Sequence, residues 1–307
     1  MLKNREVILA KQEVTYGTDP TPVAATDAVL VEELSWANEG LRMNERPAVK
    51  NTLAPLKPVY GGRLKTLSFT CEGKGSGAAG TPPEMGPLLR ACGFGETIVP
   101  STSVTYEPVS TGHESATVYY YRDGKQFILT GCRGSVSVTM EAGGIMKFAF
   151  TITGHVNTDA DVPMVAPTYN ATIPPALVSG AFTIDGFSAK IMSLNFDMAN
   201  ALAMSPDISA ADGYGEIYIT KHAPVGSFDP EEELVADEDF IGNFESGAAM
   251  ALATGTFGSV GNQIAVNMPA VTYTDASNAE RDGITVLELP FMAADSSGDD
   301  SVSIVFT

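Results

Sequence analysis

The sequence predicts a mainly β fold, and three features predict it. Apolar residues alternate with small polar ones in several short segments, as in half-buried strands. Those segments are separated by Asp-Gly and Gly-Gly turns. The 307-residue composition is 44% hydrophobic but only 18% charged. Gly, Ala, Ser, Thr and Val fill the difference, which favours strands and turns over helices.

The N-terminal run Val7–Ala10 is apolar but too short for the core of a signal peptide, so no targeting segment is expected. No run approaches the about 18 apolar residues of a membrane helix. RLKTLSFTCEG, residues 63–73, alternates and reads as a strand. After it comes Gly75-x-Gly77-x-x-Gly80, the spacing of a dinucleotide loop. The residues that follow argue against that use. Thr81 reads as an N-cap, Pro82 as the first helical position and Glu84 as the partner in a capping box. The glycines then lie in a loop outside the helix, where they cannot pack it on a strand. The helix, Pro83–Cys92, places Met85, Leu88, Leu89 and Cys92 on one apolar stripe.

TVYYYRDGKQFIL, 117–129, reads as a hairpin turning at Asp123-Gly124. SVSVTMEAGGIMKFAFTITG, 135–154, reads as a second, turning at 141–144. One of its faces carries Val136, Val138, Met140, Phe148, Phe150 and Ile152. The other carries Ser135, Ser137, Thr139, Thr151 and Thr153. The second half repeats this texture. AKIMSLNFDMA and GEIYITKHA read as strands, a short helix is expected over 238–244, and ALATGTFGSVGNQIAVNMPAV reads as a hairpin. A last hairpin is expected in ITVLELPFMAADSSGDDSVSIVFT, turning at 295–300. Matching element order predicts two domains, 1–160 and 161–307, with the boundary in the proline-rich stretch 158–175.

Residues 34–63 fit neither pattern and have no expected counterpart in the second half. They form a long basic arm carrying Arg42, Arg46, Lys50 and Lys57 among Leu41, Val49, Leu53 and Leu56. The arm is basic in a chain of net charge −19, whose second half is strongly acidic. The densest acidic cluster is Asp229, Glu231, Glu232, Glu233, Asp237, Glu238 and Asp239. It lacks the ligand order of a calcium loop and reads as a solvated face or a docking site for a basic arm. No broad basic face for nucleic acid is expected. Cys71, Cys92 and Cys132 have neither disulfide nor zinc spacing and are expected as buried free thiols. His113, His155 and His222 stand apart in sequence. No catalytic constellation emerges, so neither an enzyme, a metal nor a cofactor is expected.

The runs KQEVTYGTDPTPVAATDAVLVEE, GSGAAGTPPEMGPLLRACGF and VYYYRDGKQFILTGCRGSVSVTMEAGGIMKFAFTITG resemble the major tail protein, or tail tube protein, of long-tailed phages. The variant they resemble is that of Mu-like transposable siphophages and related prophages. The C-terminal GITVLELPFMAADSSGDDSVSIVFT resembles the closing hairpin of such proteins. The resemblance implies tail-tube-type β-sandwich or barrel domains, each with a short helix on its sheet. These close into rings that stack into a virion tail around a DNA channel, assembled in the host cytoplasm. Partners implied are further copies of the chain, the tail terminator, the tape measure and the distal tail protein, with DNA passing unbound and no membrane.

On this reading Ser135, Ser137, Thr139, Thr151 and Thr153 face the lumen, and the arm docks on acidic residues of a neighbouring ring. Two tandem tube domains favour a trimer with pseudo-sixfold symmetry, with a homohexamer as the alternative. A surface β-sandwich that binds carbohydrate or a receptor is the competing functional class. The exposed loop aromatics it would use are scarce, Trp36 being the single tryptophan.

Overall fold

The computed structural model describes residue 2 and residues 5–307. Strands hold 48% of the chain and helices 4%, so the fold is mainly β, as the alternation predicts. In chain order the first half contains β1 (Glu6–Gln12), β2 (Ala28–Val29), β3 (Glu32–Glu39), β4 (Met43–Asn44), β5 (Val59–Tyr60), β6 (Leu64–Glu72), α1 (Gly86–Ala91), β7 (Phe94–Val99), β8 (Ser103–Pro108), β9 (Ala116–Arg122), β10 (Lys125–Glu141) and β11 (Lys147–Val156). The second half contains β12 (Ala160–Asp161), β13 (Thr183–Ile184), β14 (Ile191–Asp197), β15 (Ala201–Pro206), β16 (Tyr214–Lys221), β17 (Val225–Pro230), α2 (Phe240–Ser246), β18 (Met250–Ala253), β19 (Ile264–Tyr273), β20 (Ser277–Arg281), β21 (Ile284–Ala294) and β22 (Ser303–Phe306).

All strands except β4, β5, β15 and β16 join one sheet that curls into a barrel. Its backbone of neighbours runs β3-β6-β11-β10-β14-β17-β21. Beyond β21 lie β19 and β20, end to end along the same edge. The outer strands β9, β1 and β2 follow one edge of β10, and β18 and β13 follow β19. The expected turn at Asp123-Gly124 is present. Both residues have positive φ, 41° and 98°, the two-residue geometry that favours Asp-Gly between twisted strands.

The last expected hairpin is not formed. β21 and β22 do not pair with each other. They pair one after the other with the same edge of β19, at Ala270–Tyr273 and Ile264–Asn267. Residues 295–302 bridge this break, and β22 uses its other edge to bind β8. The apolar alternation of both strands was visible in sequence, but alternation does not say which neighbour a strand takes.

The units expected at 1–160 and 161–307 share this sheet and one hydrophobic core. β10 pairs with β14, β8 pairs with β22, and the main core cluster draws side chains from both halves, including Phe69, Phe150, Phe196, Phe228 and Phe291. The proline-rich boundary is a strap. Met164, Val165 and Tyr169 pack on Val7, Leu9 and Tyr121, and Thr168 N–H bonds Ala24 O at 2.9 Å.

α1 buries Met85, Leu88, Leu89 and Cys92, the stripe read from the sequence. Its expected cap is absent. The N-cap is Met85, with no side-chain bond. Glu84 instead takes an ion pair from Lys74 Nζ at 3.3 Å. Lys74 is almost fully buried, and a buried ammonium needs a counterion more than a helix end needs its second cap bond. The three cysteines are free and buried, and burial raises all three thiol pKa values.

The glycine loop brings the halves into backbone contact. Gly77 N–H bonds Gly261 O at 2.9 Å, and Gly75 N–H bonds Asn262 Oδ1 at 2.8 Å. A Cβ on Gly75 would lie 2.4 Å from Gly261 O, so no larger residue fits. We expect the two halves to unfold in one calorimetric transition. Gly75→Ala should lower its midpoint, with a cost of about 1–3 kcal/mol. Two separable transitions in scanning calorimetry would contradict a shared core.

Candidate functional site: a polar sheet face with two free edges

The alternation that buries one face of the long sheet leaves the other polar. Register lines up Ser35, Ser68, Thr151 and Ser135 across β3, β6, β11 and β10. A second row runs through Thr139, Asn195, Ser227 and Pro290 across β10, β14, β17 and β21. The five residues predicted to share a face do share it. Thr139 and Thr151 are exposed, and Ser135 and Ser137 are half-buried. Thr153 is buried, its hydroxyl 2.8 Å from that of Thr66. Ser135 Oγ donates to Asp197 across the junction of the halves at 3.2 Å.

This face is built twice. The order β3-β6-β11-β10 recurs as β14-β17-β21 with β19 and β20. Each copy opens with a hairpin whose connection is an arm, and each then passes through one short helix. Each opening hairpin also has a bulge near its start, between Glu32 and Ser35 in one and between Ile191 and Leu194 in the other. Aligning the paired rows sets Leu34-Ser35-Trp36 on Leu194-Asn195-Phe196, and Ser68-Phe69 on Ser227-Phe228. Ser35 faces Ser68 just as Asn195 faces Ser227.

The edges of the copies differ. The outer edge of β10 over Ser137–Glu141 is covered by β14. The matching β20 has β21 on one side and no strand on the other among the described residues. β3 likewise has only β6.

The arms differ in the same sense. Residues 34–39, expected within the first arm, belong to β3. The arm itself is 40–63, pinched at its base by the short ribbon β4–β5. Its counterpart, which sequence reading missed, is 198–224 with the ribbon β15–β16. That second arm is docked on the first half. Arg133, buried, donates to Glu216 Oε1 at 2.8 Å and to the carbonyls of Ile217, His113 and Glu114. The Ile217 N–H donates to the Tyr16 hydroxyl at 2.8 Å, and His155 joins Tyr16 to Asp212. His222 bonds Asn200 at 2.7 Å, and burial lowers its pKa. The three isolated histidines thus act as polar packing around this arm. The roles of His155 and His222 were invisible in sequence because Tyr16, Asp212 and Val109, which they bond, lie far from them along the chain.

Among the described residues, only the base of the first arm is engaged within the chain. The Arg42 guanidinium lies 3.9 Å from the Tyr214 ring centroid and donates to Gly213 O. Beyond it Arg46, Val49, Lys50, Leu53 and Lys57 are exposed, Leu41 is exposed at the base, and Leu56 is half-buried.

In the acidic segment, Asp229 and Glu231 pair with Arg281, and Glu231 also with Lys190. Asp239 caps α2 through Gly242 N–H at 2.8 Å, and Glu238 accepts from Asn243. Glu232 and Asp237 are exposed, and Glu233 is half-buried. Among the described residues no group of three or more His, Cys, Asp and Glu is placed to hold a metal.

The model of one protein family, described as phage tail tube protein, matches residues 3–293 of the chain. No curated protein matches it.

Arg133 is the polar centre of the docked arm. Arg133→Met should leave several carbonyls without a donor and cost about 2–3 kcal/mol, discounted because Glu216 keeps partial contact with water. Residues 200–222 should become the first site of limited proteolysis. Unchanged protection there would show that apolar contacts alone hold the arm.

Proposed function

The chain belongs to the phage tail tube protein family, and on that premise we propose that its copies close into rings that stack around a DNA channel. As a member it is a structural component of the virion tail. The family is not an enzyme family, which accords with the absence of a catalytic constellation in the sequence. The observation that carries the ring reading is the duplicated sheet. On this reading one chain supplies two tube-type units, 1–160 and 161–307, joined side by side where β10 pairs with β14. A trimer would then carry pseudo-sixfold symmetry, and this is favoured over a homohexamer.

The polar face suits the channel wall. Ser135, Ser137, Thr139 and Thr151 offer water short hydroxyls, and Asp197 and Glu141 on the same face add negative charge. A wall of this kind does not accumulate the Lys and Arg contacts through which proteins hold phosphate.

The first arm is the candidate for stacking. Its exposed Val49 and Leu53 and its cations Arg46, Lys50 and Lys57 have too little surface around them to fold in isolation. Burial against a neighbouring ring would supply most of the binding energy. Pairs with Glu232, Glu233 and Asp237 would contribute about 0–1 kcal/mol each and chiefly set register. The tail terminator, tape measure and distal tail protein would meet the tube at its ends or within it, in a siphovirus tail assembled in the host cytoplasm.

The test is electron microscopy of the purified protein. The full chain should form hollow fibres with three chains per ring, and deletion of residues 43–60 should leave subunits or single rings. Failure of the full chain to form any tube would overturn the tube reading. Six chains per ring would reject the trimer, and long fibres from the deleted protein would reject the arm as the stacking element.

A further inference from the structure

The chain contains one finished junction between its two units and the two halves of an unfinished one. The finished junction is antiparallel pairing of β10 with β14, with Ser137 opposite Asp197, Val138 opposite Phe196 and Thr139 opposite Asn195. In the duplicated frame Asp197, Phe196 and Asn195 correspond to Ala37, Trp36 and Ser35 on β3. Ser137, Val138 and Thr139 correspond to Ser277, Asn278 and Ala279 on β20. This follows because Ser277 faces Glu288 on β21 as Ser137 faces Ala149 on β11. The free edges of β3 and β20 are therefore the same two edges that β14 and β10 use to join each other.

We infer that β3 of one chain pairs antiparallel with β20 of the next, with Ala37 opposite Ser277, Trp36 opposite Asn278 and Ser35 opposite Ala279. The proposal rests on the ring reading above and specifies the surface by which the ring closes. The occupant of each edge is a second copy of this chain.

Three observations support it beyond the topology. First, Phe196 in the finished junction is 2% exposed, whereas its counterpart Trp36 is 41% exposed. The two rings hold the same place on the core side of the sheet, opposite Gly226 and Leu67 respectively. What Trp36 lacks is the neighbouring strand. Second, both edges have backbone groups with no strand partner among the described residues, and neither edge is covered by a helix or blocked by proline. Third, the two edges lie at opposite ends of one sheet. A contact between unlike ends is head-to-tail, and it closes when each junction repeats the same rotation. The rotation between units is already set inside the chain by β10 and β14.

On the core side the junction is more polar than its template. Asn278 stands where Val138 stood and Glu280 where Met140 stood, so Trp36 and Leu34 meet more polar neighbours than Phe196 and Leu194 do. A contact between chains that form soluble subunits before assembly tolerates a less apolar edge than one buried during folding.

Engineered cysteines test the register, since the three native thiols are buried. Ala37→Cys with Ser277→Cys, and Ser35→Cys with Ala279→Cys, should each link neighbours under mild oxidation or with a short bis-thiosulfonate linker. Non-reducing gels should then show a covalent ladder that stops at the ring size. Ala37→Cys with Asn278→Cys puts the thiols on opposite faces and should yield at least tenfold less product. Trp36→Ala in the full chain should raise the protein concentration needed for assembly by tenfold or more while the monomer keeps its melting midpoint. Tubes that form normally but give no ladder from either in-register pair would overturn this pairing and leave the tube reading standing. A ladder from the opposite-face pair that equals the others would also overturn it. Protein that forms no tubes, cross-linked or not, fails the tube reading itself.

Discussion

The constraint on which the rest of this structure depends is that a sheet buried on one face must dispose of its edges. Backbone N–H and C=O groups along an edge strand demand partners, and an apolar face beside an open edge exposes side chains that belong in a core. Within the chain this demand is met at β10 by β14. That pairing joins the two halves of the chain into one sheet and one core. It also accounts for the strap at 158–175, which must cross from β11 to the start of the second copy without leaving the surface of the first.

On the proposed duplication, the same constraint explains where the two halves differ. The unit interiors keep their aromatic anchors, with Phe69 and Phe150 in contact in one copy and Phe228 and Phe291 in the other. The periphery differs. The first copy inserts the β7–β8 hairpin, which gives β22 a neighbour. The second inserts 295–302, which lets β21 and β22 share one edge of β19. The second arm uses Glu216, His222 and Asp212 to lock onto the first half, while the first arm carries exposed apolar and basic residues. An arm that docks within the chain has a fixed partner. The other must wait for one.

Much of this was legible in the sequence because it depends on local chemistry. The hairpin at Asp123-Gly124, the stripe of α1 and the split of Val136 and Val138 from Ser135 and Ser137 follow from period and turn residues alone. Three things were not legible. The place of β22 depends on which of two edges β19 offers, a question of long-range pairing. The second arm was hidden because its strands β15 and β16 alternate like any hairpin, so nothing marked them as the counterpart of a weakly periodic arm. The Glu84 cap failed because Lys74, ten residues earlier in the chain, is buried by tertiary packing and takes the carboxylate. Trp36 was noted only as a scarce aromatic; its meaning appears when Phe196 is set beside it.

The uneven charge of the chain fits this division between settled and open surfaces. All three cations of residues 151–307, Lys190, Lys221 and Arg281, lie in the second copy, and two of them are spent on Asp229 and Glu231. Of the remaining acids there, Glu216 and Asp212 are spent on Arg133 and His155, whereas Asp197, Glu232 and Asp237 are exposed. The first half spends Lys74, Arg90, Arg122 and Arg133 on internal partners, and the cations at the arm's end have none among the described residues. Stranded positive charge on an arm and stranded negative charge on the other copy raise the rate at which chains meet in the right orientation. They add little once the contact is made. Holding energy must come from the apolar residues beside them and from paired backbone. Charge therefore selects the approach, and the edges of the sheet hold it.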